Sequence, residues 1–442
     1  MKLGRASETK CCGRCASQRH QAPEIWRGNL GSECSPSELA QFVRLDMKRG
    51  IVQSHERLLA LDGLRAVSIL LVVLSHIFGL TGVSQSIPGG FGVTIFFFIS
   101  GFIITRLLLK EDVETGRLSL KSFYIRRFFR LAPALLVYVG ISTVAFSALG
   151  LHVPGSDIAA SLFYYANYHA IYAGFHNTIR GSTVVLSPLG ITWSLAIEEH
   201  FYFLFPMILM TLRKRTDRLL TSLCGFVIIV VTWRIFLVYF FGLSSLPNYR
   251  IYMGTDTRLD SIAYGCLLSV LFHRAEINGK GNARKFLDLL QGSIGLCVSA
   301  GLILLSLILR GPEFRETIRY SIQGIALAPL FCALFWSGSA PRWLQYSLSN
   351  RTMTFLGTIS YSMYLYHFLA VGVTQWVLRN ATSCDRVVLS ACLTFAGSLF
   401  SYYLVEGPPR RFGSRWAARI KGAISPSLSQ RLIRSENRPA GH

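Results

Sequence analysis

The sequence predicts an all-α polytopic membrane protein with about ten transmembrane helices and with its N- and C-termini in the cytoplasm. Three observations predict it. Of the 442 residues, 51% are hydrophobic and only 15% are charged, whereas about a quarter of the residues of a soluble domain carry charge. The apolar residues come in blocks of about twenty, the length that crosses a hydrocarbon core of roughly 30 Å as a helix. Between the blocks, Lys and Arg alternate from dense to sparse. This pattern excludes an ordinary cytosolic enzyme, a disulfide scaffold and a disordered chain.

Residues 1–57 form a polar, basic tail, expected to be disordered and cytoplasmic, with no apolar run and hence no cleavable signal peptide. Cys12-Gly-Arg-Cys15 has CxxC spacing, but without a second pair or a nearby His it is a weak zinc or redox signal. It reads as incidental, and no metal site is expected. Met47 stands close to the first span and would serve as an alternative start. The other six cysteines (224, 266, 297, 332, 384, 392) lie mostly in apolar blocks, where Cys behaves as a small hydrophobe.

A membrane domain follows over 58–408. Its spans are expected at about 59–79, 90–109, 132–150, 189–211, 219–241, 257–272, 287–309, 319–338, 353–378 and 387–405. Segment 157–173 is short, aromatic and dotted with polar residues. It reads as a re-entrant or interfacial piece rather than a full span. The C-terminal tail, 409–442, is basic and dotted with Pro and Ser, expected to be disordered or to lie on an anionic inner leaflet. No appended soluble domain and no internal repeat are expected.

The 45 Lys and Arg outnumber the 23 Asp and Glu by 22. With the N-terminus inside, the tails and inner loops hold 34 Lys/Arg and the outer loops seven. Such a bias is the positive-inside rule. The basic excess is therefore read as topology, the bilayer as the partner, and nucleic acid as none.

Ionisable side chains inside a span cost about 2.5–3.5 kcal/mol each on insertion scales, so each needs a partner or a task. The first span carries Asp62, Arg65 and His76. Arg65 and His76 are eleven residues apart, about three turns, and so share a face about 16 Å apart along the axis. His76 is either an interfacial anchor or a reactive group. Glu198 and Glu199, in the WSLAIEEHFYF island, point to different faces of one helix, so at least one is expected to face a polar cavity. Asp256, Arg258, Asp260 and His367 are similar islands, for which structural pairing, such as Arg258 with a carboxylate, serves as well as catalysis.

Gly92 and Gly101 in GGFGVTIFFFISGF read first as close helix packing, second as room for a narrow ligand. The stretch KSFYIRRFFRLAP reads as an amphipathic interfacial segment ending at Pro133, a good first-turn residue. Its Arg126, Arg127 and Arg130 are either topology anchors or a bidentate phosphate grip.

These islands together resemble the acyltransferase 3 family of integral membrane acyltransferases, the group that includes O-antigen and exopolysaccharide acetylases. The matching stretches are LDGLRAVSILLVVLSH, GGFGVTIFFFISGFII, FYIRRFFRLAP, WSLAIEEHFYFLFP, RLDSIAYGCLL, LGTISYSMYLYH and YYLVEGPPRRF. They occur in family order over about 58–412. Each is weak alone; seven in order are specific.

The resemblance implies a ten-helix enzyme in a bacterial cytoplasmic membrane. It would take an acyl group from cytoplasmic acyl-CoA, by default acetyl-CoA, and give it to a hydroxyl of a carbohydrate or glycolipid at the far face. The acyl-CoA would be a donor substrate, with no permanently bound cofactor. By position, the family's basic-residue/His signature falls on Arg65 and His76, its paired arginines on Arg127 and Arg130, and its acidic positions on Glu198 and Glu406. His76, Glu198 and Asp62 are the expected catalytic residues, with Arg65, Arg127 and Arg130 on CoA. His76 would be the general base, with an acid such as Glu198 fixing its tautomer. The pantetheine arm would thread the glycine-rich packing between the first two helices. Two departures are Ala134-Leu135 after Pro133, where an aromatic is common, and His200 in place of Gln. Glu199, Arg258, Asp260 and His367 remain further candidates. The competing reading is a secondary transporter of a sugar or ion, against which the lack of an inverted repeat argues.

Overall fold

The computed structural model describes residues 59–79, 86–175, 178–180, 183–243, 249–279, 281–336 and 338–424. The N-terminal lead, with its Cys12–Cys15 pair and Met47, lies outside them, as does everything after 424. The described residues all fall within one unit, Leu58–His442.

The described residues are almost entirely helical. Their first third is three long helices: α1 (Leu59–Gly79), α2 (Gly89–Thr115) and α3 (Leu120–Ala148). Helix α2 ends where Gly116 adopts φ 67° and its N–H caps the Asp112 carbonyl, the left-handed stop that glycine permits. Ser119 then opens α3 by accepting a hydrogen bond from the Ser122 N–H. The expected start of this span at Pro133 is corrected here: Pro133 lies inside a continuous 29-residue helix. Proline is tolerated in such helices because neighbouring groups satisfy the freed backbone; the Tyr361 hydroxyl donates to the nearby Leu131 carbonyl at 3.1 Å. Arg127 and Arg130 therefore belong to the same helix as the apolar span.

Segment 157–173 forms two short helices, α4 (Gly155–Leu162) and α5 (Ala166–Tyr172), neither long enough to cross a bilayer. They break at Tyr164, the one non-glycine residue with positive φ among those described. A two-stranded ribbon follows, β1 (Thr178–Arg180) against β2 (Thr183–Val185), then a 3₁₀ turn, Pro188–Thr192, that leads into α6 (Trp193–Leu212). The next long helix is α7 (Thr216–Phe240), followed by short α8 (Tyr249–Met253) and by α9 (Thr255–Asn278).

The last third is more broken. It comprises α10 (Asn282–Leu290), α11 (Gly292–Ile308), α12 (Pro312–Glu316), α13 (Arg319–Phe331), α14 (Arg342–Ser349), α15 (Arg351–Thr358), α16 (Ser360–Val377), α17 (Ser383–Phe400) and α18 (Gly407–Ile424). Wide π turns close α13 at Cys332–Trp336 and join α17 to α18 at Ser401–Glu406. Pro408 and Pro409 sit at the start of α18, directly after the π turn. Residues 409–424 belong to this helix.

Among the described residues, six helical stretches are long and apolar enough to cross a membrane, or seven if the α10–α11 pair, bent by 69°, counts as one. The spans expected at 257–272, 319–338 and 353–378 are helical but fall short by composition or length. Helix α9 shows why: it carries Asp256, Arg258 and Asp260, yet buries all but Asp256 completely. Its charges face other helices, not lipid. Helix α2 lies at the centre, 72% buried over its span against 22–44% for the other five.

The glycines of α2 are packing devices. A Cβ on Gly92 would strike the Ser68 carbonyl of α1, and one on Gly101 the Ile262 carbonyl of α9. On α9, Gly265 meets the Phe98 carbonyl in return, so the two backbones touch, as small residues allow in membranes. At Gly89 and Gly92 the packing on α1 leaves no room for a pantetheine arm. Open space lies along another face of α2, where Arg65 of α1 also borders it.

Candidate active site

That space is a cavity of about 410 Å³ walled by α2, α3, α6, α16 and α18, with Arg65 of α1 and the end of α15 completing the lining. Its lining on α2 runs from Val93 to Glu111, eighteen residues, or about 27 Å at 1.5 Å per residue. Five arginines line it: Arg65, Arg126, Arg127, Arg130 and Arg410. Arg126 reaches Glu111, 3.8 Å away, which places it at that end. Towards Val93 the wall turns apolar, with Phe96, Phe97 and Ile99, and it ends at Ser194 and Tyr364.

The two glutamates of the WSLAIEEHFYF island divide as adjacent helix positions must. Glu198 lines the cavity and accepts a hydrogen bond from Ser100 Oγ at 2.9 Å. Glu199 takes both Nε (2.9 Å) and Nη2 (2.6 Å) of Arg127 on one oxygen. The Arg127 guanidinium also lies 3.1 Å from the centroid of the Tyr202 ring. Glu199 and Tyr202 hold Arg127 in one pose, while Arg130 lines the cavity one turn further along α3. Asp62 pairs with Arg65 at 3.3 Å. Glu406, on the π turn before α18, accepts from Ser362 Oγ and lines the same cavity. Such π turns recur at functional sites.

His76 lies beyond the closed end. It stands near the C-terminus of α1, half-buried, and its partner is His367 of α16. His367 Nε2 is 3.1 Å from His76 Nδ1, and His367 Nδ1 is 3.0 Å from the Met363 carbonyl. A carbonyl only accepts, so in a neutral pair His367 Nδ1 carries its hydrogen and His367 Nε2 accepts. His76 Nδ1 must then be the donor, which leaves the lone pair on His76 Nε2. Phe368 packs edge-on against the His76 ring at 5.1 Å.

Tyr364 separates this pair from the cavity. Its ring is 5.8 Å from that of His367, one helical turn away, and its hydroxyl is tied to Ser194 Oγ and donates to the Ile191 carbonyl at 3.0 Å.

The structure thus brings Arg65, Arg127, Arg130, Glu198 and Glu406 to one cavity and pairs His76 with His367. It does not join Glu198 to His76. Asp62 lies fourteen residues from His76 along α1, about 21 Å. Among the described residues Arg258 pairs with no carboxylate: Asp260 is taken by Arg234 of α7, fully buried, through Nη1 (3.0 Å) and Nη2 (2.8 Å). Asp256 is held by Arg250 and by Trp233 Nε1, the latter at 2.6 Å. Arg410, Ser100, Ser194 and Tyr364 were not singled out from the sequence. Arg410 is one basic residue in a basic segment, and Ser and Tyr carry little contrast within an aromatic-rich span.

The chain is similar to known proteins over most of its length. The acyltransferase domain of the acyltransferase 3 family matches residues 58–405. A Staphylococcus aureus (strain MRSA252) protein provisionally named an O-acetyltransferase is 34% identical over 387 residues, covering 84% of this chain and 60% of its own length. The peptidoglycan O-acetyltransferase OatA of Listeria monocytogenes is 32% identical over 380 residues, 83% of this chain and 58% of its own. The chain therefore spans about three fifths of the length of these relatives. No solved structure matches. By the extent of the family match, the chain belongs to the acyltransferase 3 family of membrane acyltransferases.

Proposed function

We propose that the protein is a membrane O-acyltransferase that takes an acyl group, by default acetyl, from cytoplasmic acyl-CoA and transfers it to a hydroxyl of a cell-envelope or exported carbohydrate. The observation that carries this reading is one cavity with five arginines, an apolar upper wall and a histidine pair behind its closed end. Guanidinium groups suit the 3′-phosphate and pyrophosphate of CoA. The cavity's run of about 27 Å along α2 suits the pantetheine arm, so no charged group need enter lipid. The names of the relatives, one a peptidoglycan O-acetyltransferase, support an envelope polysaccharide as the acceptor class.

In this reading the phosphates sit among Arg126, Arg127, Arg130 and Arg410 on the cytoplasmic side, as the distribution of Lys and Arg between the loops supports. The thioester passes Tyr364. His76 Nε2 takes the proton of the acceptor hydroxyl as oxygen attacks the thioester carbonyl, and the CoA thiolate leaves towards the cytoplasm. His367 acts through His76, holding its tautomer. Ten crossings with both termini inside, in a bacterial cytoplasmic membrane, are part of the same proposal. The test is acyl-CoA binding and hydrolysis by the detergent-purified protein, wild type beside Arg127→Ala/Arg130→Ala and His76→Ala. Loss of binding in the first and of turnover alone in the second is the expected result; a wild type with no affinity for any acyl-CoA overturns the reading.

A further inference from the structure

A second cavity, of about 510 Å³, opens beside the N-terminus of α2. It adjoins the end of α1 that carries His76, because Gly89, in its wall, rests on Ser75. Of the seven Lys and Arg assigned to outer loops, three line this one cavity: Arg310, Arg315 and Arg319. One carboxylate, Glu316, lines it with them.

We propose that this cavity binds the anionic group of an acidic acceptor sugar, a carboxylate or a phosphate. The inference rests on the acyltransferase reading and names its substrate class more narrowly.

A fourth arginine lies directly behind the lining. Arg258 is completely buried, and its guanidinium sits 3.8 Å from the Tyr320 ring centroid and 5.4 Å from that of Tyr252. Both rings line the cavity. Its Nη2 donates to Thr94 Oγ1 at 3.2 Å, while Nε and Nη1 have no hydrogen-bond partner among the described residues. The Nε of Arg315 and that of Arg319 are buried without a partner too. Buried guanidinium donors left unpaired are costly. Arg234, equally buried, avoids this by its bidentate pair with Asp260.

Glu316 does not neutralise the group. Burial pushes its carboxyl up to about 7, even with Arg319, Arg315, Arg258 and Arg234 acting to lower it. Near neutrality its charge only partly offsets the arginines. The aromatic faces of Tyr249 and Tyr252 supply what a sugar ring stacks on, which favours a saccharide over an anionic lipid headgroup of the same charge.

The test is binding to the full-length protein in neutral-lipid nanodiscs, with glucuronic acid, glucose 6-phosphate, glucose and inorganic phosphate as probes. Either acidic sugar is expected to bind at least about tenfold more tightly than glucose. Arg315→Gln/Arg319→Gln should abolish that difference, and Arg315→Lys/Arg319→Lys, which keeps the charge, should retain part of it and so exclude misfolding. Equal affinity for charged and neutral sugars, or no change in the Gln variant, overturns the proposal. So does inorganic phosphate binding as tightly as glucose 6-phosphate, or displacement of both sugars by nanodiscs containing anionic phospholipid. Acyl-CoA binding by the same wild-type preparation reports separately on the acyltransferase reading: binding of acyl-CoA without anion selectivity sinks this inference alone.

Discussion

His367 Nε2 stands 3.1 Å from His76 Nδ1, a contact between residues 291 positions apart. The Met363 carbonyl fixes His367, and His367 in turn fixes His76 with its Nε2 lone pair free. His76→Ala removes the proposed base, a contribution of about 10²–10⁴-fold in rate. His367→Ala leaves the base but frees its ring, so a smaller fall in kcat is expected, on the order of 10–100-fold, with donor KM little changed. His367→Gln, whose amide oxygen still accepts from His76 Nδ1, should recover part of it. A His367→Ala enzyme with wild-type kcat would remove His367 from the mechanism.

Arg127 is held by Glu199 and Tyr202 while Arg130 has no such clamp among the described residues, yet both line the cavity. A hydrogen bond to a charged group contributes about 1.5–3 kcal/mol, and 1.4 kcal/mol is tenfold in affinity. The double variant Arg127→Ala/Arg130→Ala is therefore expected to weaken acyl-CoA binding by at least about 10²-fold. Isothermal titration with the non-hydrolysed product CoA checks this without turnover. Unchanged CoA affinity would return both arginines to the role of topology anchors.

How much of this was legible in the sequence depends on contrast. Arg65, His76 and Glu198 stand out because each interrupts an apolar run, and Glu406 through the family resemblance; Arg65, Glu198 and Glu406 line the cavity, and His76 lies beyond it. Pairings were not legible. Arg258 and Asp260 lie two apart, but the ion pair goes to Arg234, because a bidentate geometry depends on where α7 crosses α9. Proline was misread at 133 because a first-turn and a mid-helix proline look alike in a segment whose amphipathic start runs straight into an apolar span. Six of the ten expected spans have the length and hydropathy of a crossing among the described residues; a helix such as α9 falls short because its charged residues are surrounded by protein rather than lipid.

Gly101 tests the packing. A side chain there would meet the Ile262 carbonyl and the Cys266 sulfur, backbone that cannot move without shifting α9. Gly101→Val is expected to cost several kcal/mol, in the range of severe overpacking, and to abolish a monodisperse peak on size exclusion. Gly140, which faces open space, is the control: Gly140→Ala should elute as wild type. Normal elution of Gly101→Val would mean that the α2–α9 contact is looser than described.

The Glu316 carboxyl, raised to about 7 by burial, gives anion binding a pH dependence of definite sign. Below that value Glu316 is neutral and the arginines act unopposed; above it the carboxylate repels an incoming anion. Glucuronic acid stays ionised throughout, unlike a phosphate monoester, whose second ionisation falls near 6. Its affinity is expected to fall several-fold between pH 6 and pH 8, and Glu316→Gln should flatten the profile at the tighter level. A wild-type profile that is already flat, or one that rises with pH, contradicts the assignment.

Tyr364 is the barrier between the cavity and the histidines, held shut by its hydroxyl on Ser194 and on the Ile191 carbonyl. If the donor's thioester must pass it, two substitutions should act in opposite directions. Tyr364→Phe keeps the ring but loses both tethers, worth about 0.5–1.5 kcal/mol each, so the barrier opens more often. Acyl-CoA hydrolysis without acceptor is expected to rise, by roughly three- to tenfold. Tyr364→Trp enlarges the ring and should lower kcat by at least about tenfold while CoA still binds among the arginines. Stopped-flow release of free thiol separates the two. Equal rates in all three proteins would place the donor's route elsewhere and leave Tyr364 a packing residue.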